Sequence, residues 1–409
     1  MFNQTNQLRQ LMLTRGFLVI LIVSAVPLSW FRDDTLIGGG DYFPDINAWL
    51  TFERAIYTWW SHGLGGLPKA SPSTVYAILV VLLEKIGVSF SVIQKIFFYL
   101  LFVGSGTSVF LLAYTINKKD RFTPLLAGLF YITNFWSLVS VWTIPYTFNF
   151  YVAFAYSFFP LMLAFFIKGL KEVNGYRCMV YSSLICLLMA PAYLNFVIPF
   201  LQLAFLFVVL IYHILLNKSA TLTLSKRFLV FVTCWFLINA FWLLPLLPQI
   251  NDFIRSPYSY ASYIDAFRSH SISLLDALRI SGTGPNGYWT LHTKVFDDPI
   301  IPWSELYSSA LYVFFSFLLP AIAFAPLILR PKDEYVLLFS LTAIISIVMI
   351  AGSNPPFGAF LEEILIQTQL IGVLRDPFYK VGYFLALSYS FLWASCLATF
   401  ISRFNSHTS

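Results

Sequence analysis

From Phe122 to Ile167 no residue carries a charge, and shorter runs of the same kind recur along the whole chain. A helix needs about 20 apolar residues to cross the hydrocarbon core of a bilayer. Leu13–Phe31, Ile96–Ile116, Phe228–Leu247, Leu306–Leu329, Tyr335–Ala351 and Val381–Ile401 fit that length. Phe122–Ile167 is long enough for two helices turning at Trp142–Thr147, around Pro145. Cys178–Leu216 is a second such pair, turning near Pro191–Asn195. Thr74–Leu83 is apolar but short before Glu84 and Lys85. The reading is an all-α polytopic membrane protein of about 11 transmembrane helices, forming one transmembrane domain over residues 1–409. The first run has small residues at Ser24 and Ala25, but its length and poor cleavage pattern favour a span over a signal peptide.

Composition closes the alternatives. Charged residues are 11% of the chain, against about 25% in soluble domains. That leaves too little polar surface for a soluble enzyme, a disordered chain or a nucleic-acid binder. The four cysteines lie inside apolar runs, so neither a disulfide framework nor a zinc site is expected. The net charge of +6 fits Lys and Arg collected in cytoplasmic loops.

Those cations orient the spans. Arg9 and Arg15 stand at the start of the first run, and Arg403 follows the last. Lys168, Lys171 and Arg177 form one cluster, Lys218, Lys226 and Arg227 another, and Arg330 and Lys332 a third. With these inside, the loops at about 32–73, 248–304 and 352–378 lie outside. One conflict remains. Counting Thr74–Ile86 as a full span puts Lys118, Lys119 and Arg121 outside, against the rule; otherwise that segment is re-entrant.

Three outer segments read as interfacial helices, or as loop helices packed on the spans. Ile46–Trp60 repeats Trp49, Phe52, Ile56 and Trp60 at helical spacing. Ser271–Ile280 carries Ile272, Leu275 and Leu278 on one side, and Phe357–Leu365 carries Phe357, Phe360, Leu361 and Ile364. An apolar stripe beside polar residues suits the headgroup boundary.

The same loops hold the candidate chemistry. Gly38-Gly39-Gly40 precedes Asp41; three glycines let the chain turn sharply and present that carboxylate at the membrane surface. Asp45 stands at the start of the aromatic helix, where the helix dipole favours a carboxylate, so it is either a second acid or a helix-start residue. Trp60 and His62 follow; with no second histidine at metal spacing, His62 reads first as an interfacial histidine. Arg375 and Lys380 stand just outside the last span. Arg grips phosphate oxygens as a fork and Lys supplies a point charge; the alternative is two cations snorkelling to headgroups. A membrane-level carboxylate together with such a pair fits transfer from a lipid-linked phosphate, with Asp41 taking the proton of the attacking hydroxyl.

This layout resembles the GT-C superfamily of polytopic glycosyltransferases. More narrowly it resembles the membrane part of the α-(1→3)-arabinofuranosyltransferase family. Asp41 and Asp45 match the first-loop acidic pair, followed by Trp60…Gly63-Leu64-Gly65. Ser273–Arg279 and Gly287-Tyr288-Trp289 match the large external loop, and Gly352-Ser353, Phe357-Gly358 and Leu374-Arg375…Lys380 the last one. The resemblance implies catalysis by Asp41 and Asp45, donor phosphate on Arg375 and Lys380, and sugar contacts from Trp60, His62, Tyr288 and Trp289. It implies a polyprenyl-phosphate sugar donor and a glycan or lipid acceptor, at the external face of the cell membrane. Family members continue into further spans and a carbohydrate-binding region, so sugar and acceptor stay open. No metal site or other cofactor is implied, and a divalent cation at the phosphate is left open. Competing readings are a non-catalytic accessory subunit and a transporter of lipid-linked sugars. The spans are almost free of ionisable groups, which argues against an ion-coupled path.

Overall fold

The computed structural model describes residues 15–38, 47, 49–50, 52–53, 71–118, 120, 122–142, 150–255, 257–281, 294–295, 298–299, 306 and 309–407. Among them eight helices are long and apolar enough to cross a membrane: Phe90–Ile116, Tyr151–Lys171, Gly175–Leu194, Val197–Leu216, Lys218–Pro245, Ala310–Leu329, Glu334–Ala351 and Pro377–Phe404. Three expected spans do not reach that standard. Arg15–Trp30 is shorter and ends in a 3-10 turn with Pro27 at its start. Thr74–Lys85 has 12 residues, so it rises about 18 Å, against a hydrocarbon core of about 30 Å. Thr123–Ser140 is interrupted where Asn134 caps a new helix by accepting from the Ser137 amide. The chain forms two compact units, one of residues 1–132 and 148–249, the other of 133–147 and 250–409.

In the first unit, α1 (Arg15–Trp30) precedes α2 (Thr74–Lys85) and α3 (Phe90–Ile116). Helices α1 and α3 run antiparallel. A Cβ on Gly16 would lie 3.2 Å from Phe110, and one on Gly106 2.6 Å from Ile20. Trp30 meets Phe98 and Phe102 edge-on. Beyond α1 the chain folds over the start of α3: Gln94 and the Ile37 backbone exchange hydrogen bonds, and Lys95 Nζ donates to the Asp33 carbonyl at 2.7 Å. Residues 31–37 and the first turn of α3 therefore share one end of the unit. Helix α3 thus starts at the end of the unit where α1 stops, and α2, with 12 residues, is short of a full span.

This decides the conflict over Lys118. It follows α3 at the same end as Arg15, in agreement with the positive-inside rule; Lys119 and Arg121 lie outside the described residues. Helix α4 (Thr123–Thr133) follows, then α5 (Phe135–Ser140), which belongs to the second unit, then α6 (Phe150–Lys171). Gly106 and Gly128 let α3 and α4 cross closely, since a Cβ on Gly128 would lie 2.8 Å from the Gly106 carbonyl oxygen. Helix α6 runs parallel to α3, joined by Ser105 and Ser157 hydroxyls 3.0 Å apart, with Ser157 donating to the Leu101 carbonyl. Such small residues let helices approach where lipid removes the hydrophobic drive for association. Then come α7 (Gly175–Leu194), α8 (Val197–Leu216) and α9 (Thr221–Arg255). Arg227 on α9 donates to the carbonyls of Gly169, Leu170 and Val173. It satisfies the orphan carbonyls at the end of α6 and fixes the clusters at 168–177 and 218–227 at one end of the unit.

The second unit holds α10 (Pro257–His270), α11 (Leu274–Leu278), α12 (Ala310–Leu329), α13 (Glu334–Ala351), α14 (Gly358–Gln367) and α15 (Pro377–His407). A two-residue antiparallel pairing joins Lys294–Val295 to Asp298–Pro299. Helices α13 and α15 form its core, with Phe339 and Phe391 rings 4.7 Å apart. Trp136, on α5, donates its indole N–H to the Phe378 carbonyl at 2.9 Å. Gly382 leaves the room for that ring, because a Cβ there would collide with the indole nitrogen.

Of the three expected interfacial helices, two can be compared. Phe357, Phe360 and Ile364 are exposed along α14 while Leu365 is buried, as an interfacial stripe requires. Ser271–Ile280 is different: Ser271, Ile272, Ala277, Arg279 and Ile280 are buried. Leu275 between them is exposed, so the segment is packed along most of its length and shows the surface only part of the expected stripe. Of Ile46–Trp60 only a fragment is described; there Asn47 accepts from the Leu50 amide and Trp49 donates to Glu53.

Candidate functional site

Of the residues singled out in the sequence, Asp41, Asp45, Trp60, His62, Tyr288 and Trp289 lie outside the described residues. Arg375 and Lys380 are described, and they sit at the end of the second unit away from Arg330 and Lys332. Helix α13 starts beside Arg330 and Lys332 and ends at Gly352, where Ser271 and Ser353 meet.

Arg375 and Lys380 differ in environment although they flank one helix start. Arg375 is exposed, with its guanidinium 5.6 Å from the Tyr263 ring centroid. A cation over an aromatic face is held electrostatically, and the planar guanidinium keeps its edge donors for a further partner. Lys380 is 5% exposed. Its ammonium donates to the Val373 carbonyl at 2.7 Å and reaches the Gly372 carbonyl at 3.4 Å. It ties the loop before α15 to the first turn of α15. That loop follows Tyr263 closely, since a Cβ on Gly372 would lie 2.9 Å from its ring.

Two residues that the sequence did not single out complete the cluster. Asp376 opens α15 as its N-cap, followed by Pro377 at the first helical position, where the missing N–H costs nothing. Its carboxylate accepts from the Tyr379 amide at 3.4 Å. Burial pushes the carboxyl above its ordinary range, against the opposing pull of His270, Lys380 and Arg375. His270 ends α10. Burial holds its imidazole below the ordinary value, opposed by Asp376 and by a hydrogen bond to the Arg375 backbone. Desolvation thus favours the neutral form of both residues, and each stabilises the other's charged form. Asp-Pro before an apolar run is a helix-start signal, so Asp376 was legible as a cap. Nothing in the sequence joins His270 to Arg375.

Next to this cluster the structure brings together two of the outer motifs. Ser353 donates its amide to Ser271 Oγ at 2.9 Å, and Asn354 donates to the Ile272 carbonyl at 2.9 Å. Gly352 makes the junction with φ of 57°, and a Cβ there would collide with Ser271 Oγ. On α10, Arg268 pairs with Glu362 of α14, its Nε 3.0 Å from the carboxylate. Among the described residues no three His, Cys, Asp or Glu side chains converge to hold a metal ion.

The arrangement presents one exposed cation, oriented by an aromatic ring and backed by a carboxyl and an imidazole, at the mouth of a long apolar helix. It can bind an anion, and Asp376 or His270 can exchange a proton beside it. No family model, curated protein or solved structure matches the chain.

Proposed function

We propose that this chain is an integral-membrane glycosyltransferase. It moves a sugar from a polyprenyl-phosphate donor to a glycan or lipid acceptor on the external face. The observation that carries the reading is Arg375: exposed, set over Tyr263, and placed where α15 emerges. A donor phosphate anchored by its lipid lies in that layer, and a fork of guanidinium donors suits its oxygens. The basic clusters of the first unit, gathered at one end, favour the cytoplasm for that end.

In this reading Arg375 binds the donor phosphate and stabilises its charge as it leaves. Lys380, with its ammonium turned to the Val373 and Gly372 carbonyls, holds the loop that carries Arg375. Asp41 takes the proton from the acceptor hydroxyl, and Asp45 serves the helix start. Trp60, His62, Tyr288 and Trp289 contact sugar.

The test is glycosyl transfer from a polyprenyl-phosphate sugar in detergent, with and without added divalent cation. Arg375→Ala is expected to weaken donor binding and to slow turnover together. A wild type that neither binds nor turns over any such donor removes the enzyme reading and leaves the accessory-subunit reading in front. Translocation of the intact donor without bond cleavage leaves the transporter.

A further inference from the structure

We infer that the outer half of α12 is a lateral gate, hinged at Phe317 and latched by the buried Arg279 of segment 271–281.

Helix α12 is built in three pieces, Ala310–Ser316, Leu318–Phe324 and Pro326–Leu329. The inner pieces are anchored: Pro320, Ala323 and Pro326 are buried, and Phe324 packs edge-on against Tyr389 of α15. The outer piece has no buried residue. Over the whole span 17% is buried, against 78% for α15. The break between the pieces has a chemical cause. Pro320 has no N–H to donate to the Ser316 carbonyl, four residues back, so the backbone bond that would stiffen this turn is missing.

Arg279 holds the loose side of that break. Its Nη1 donates to Ser316 Oγ at 2.9 Å, and its guanidinium lies 5.4 Å from the Phe317 ring centroid. On the other side it pairs with Asp276, which accepts from Ser273. Segment 271–281 is itself fixed. Tyr389 donates to the Leu278 carbonyl at 2.8 Å, Ser271 and Ile272 are clamped by Ser353 and Asn354, and α11 is closed by Ser273 at its start. At its end Ile280 takes a φ of 55° while fully buried, a conformation that a β-branched residue adopts only when its surroundings impose it. The latch is therefore anchored on a tightly bonded element and grips a helix piece that has no buried residue of its own.

Its depth explains why the latch is charged. Ser316 lies six residues into α12, about 9 Å below its outer end, level with the exposed Phe314, Phe315 and Leu318. An ion pair at that level is costly and is expected to have a function. With the outer half closed, Arg279 is 7% exposed. When it swings out, a route opens from the outer leaflet to segment 271–281, and the ligand class that such a route admits is one carried on a lipid chain.

The test reads geometry and is independent of the enzyme reading. Spin labels are placed at Leu311→Cys and Phe360→Cys, both exposed in the second unit, after the native cysteines are replaced by alanine, and the pair distance is measured in nanodiscs. Arg279→Gln and Ser316→Ala are expected to shift the distribution by about 5 Å or to broaden it by as much, the scale of one helical turn. Pro320→Ala restores a donor for the Ser316 carbonyl and is expected to narrow the distribution to one population. If Arg279→Gln fails to fold, because Asp276 is left unpaired, Ser316→Ala and Pro320→Ala decide the matter. Distributions unchanged in both of these overturn the gate and reduce Arg279 to a packing residue.

Discussion

Asp376 shows how one side chain serves two demands that conflict. As the N-cap of α15 it needs only an oxygen acceptor, but burial raises its carboxyl above the ordinary value of 3.8. A group whose folded pKa is raised contributes stability that is complete below its unfolded pKa and is lost as pH rises through the folded one. Asp376→Asn keeps the cap and removes the titration. The variant should match the wild type in stability well below pH 3.8 and exceed it increasingly as pH rises from there toward neutrality, read as thermal midpoints in detergent across that range. A difference that stays flat with pH refutes the assignment. Gly352 is constrained by space and by backbone together, with its φ of 57° and its contact with Ser271. Gly352→Ala is expected to cost about 1–3 kcal/mol and to loosen the clamp between Ser271 and Ser353, seen as faster amide exchange at Ser353. An unchanged midpoint and unchanged exchange would mean that the junction relaxes freely.

At the scale of helices, the contacts between α1, α3 and α4 rest on glycines. A Cβ on Gly128 meets backbone first, the Gly106 carbonyl oxygen at 2.8 Å, and then the tip of Ile20 at 2.9 Å; the tip can turn away and the carbonyl cannot. Gly128→Ala should therefore push α4 off α3 and lower the stability of the first unit by about 1–3 kcal/mol. A midpoint within error of the wild type contradicts that packing. The antiparallel packing of α1 and α3 has a topological consequence. Because α3 starts at the end where α1 stops, Arg15 and Lys118 stand on one side of the membrane. Cysteines at Arg15 and Lys118 should share their accessibility to an impermeant reagent with a cysteine at Arg177. Labelling of Lys118→Cys from the opposite side would restore α2 as a full span.

For the whole molecule, the proposed reaction sets Asp41, Asp45 and Arg375 different tasks, and turnover separates them. Asp41→Asn keeps the shape of the side chain and loses the proton acceptor, so rate should fall roughly 10²-fold or more with donor binding intact. Asp45→Asn should cost about 1 kcal/mol of local stability and little activity. Arg375→Ala should raise KM and lower kcat together, because phosphate is bound both before and during its departure. Full activity in Asp41→Asn with an inactive Asp45→Asn transfers the base to Asp45. Full activity in Arg375→Ala removes the phosphate contact on which the reading rests.

Hydropathy alone determined that this chain is a bundle of apolar helices, because the bilayer demands length and charge-free composition and both are written locally. The grouping of cations between the spans set an expectation for which loops share a side, and it stayed in conflict at Lys118 until the packing of α1 against α3 was known. The number of full spans needed the structure. Asn134 stops one helix by offering its side chain to a backbone amide, and whether a 12-residue apolar segment crosses depends on where the chain next emerges. The helical periodicity of Ser271–Ile280 and of α14 is similar, yet the first buries Ile272 and exposes Leu275, while α14 presents Phe360 and Ile364. Periodicity states that a face is apolar and not what covers it. The difference between Arg375 and Lys380 was equally invisible: both are cations at a span's mouth, and only the path of residues 372–373 gives the lysine carbonyls to bind and leaves the arginine exposed. His270, Asp376 and Arg279 became visible as parts of sites only through tertiary structure, because their partners come from other helices and electrostatic interaction depends on distance and burial, neither of which sequence order records.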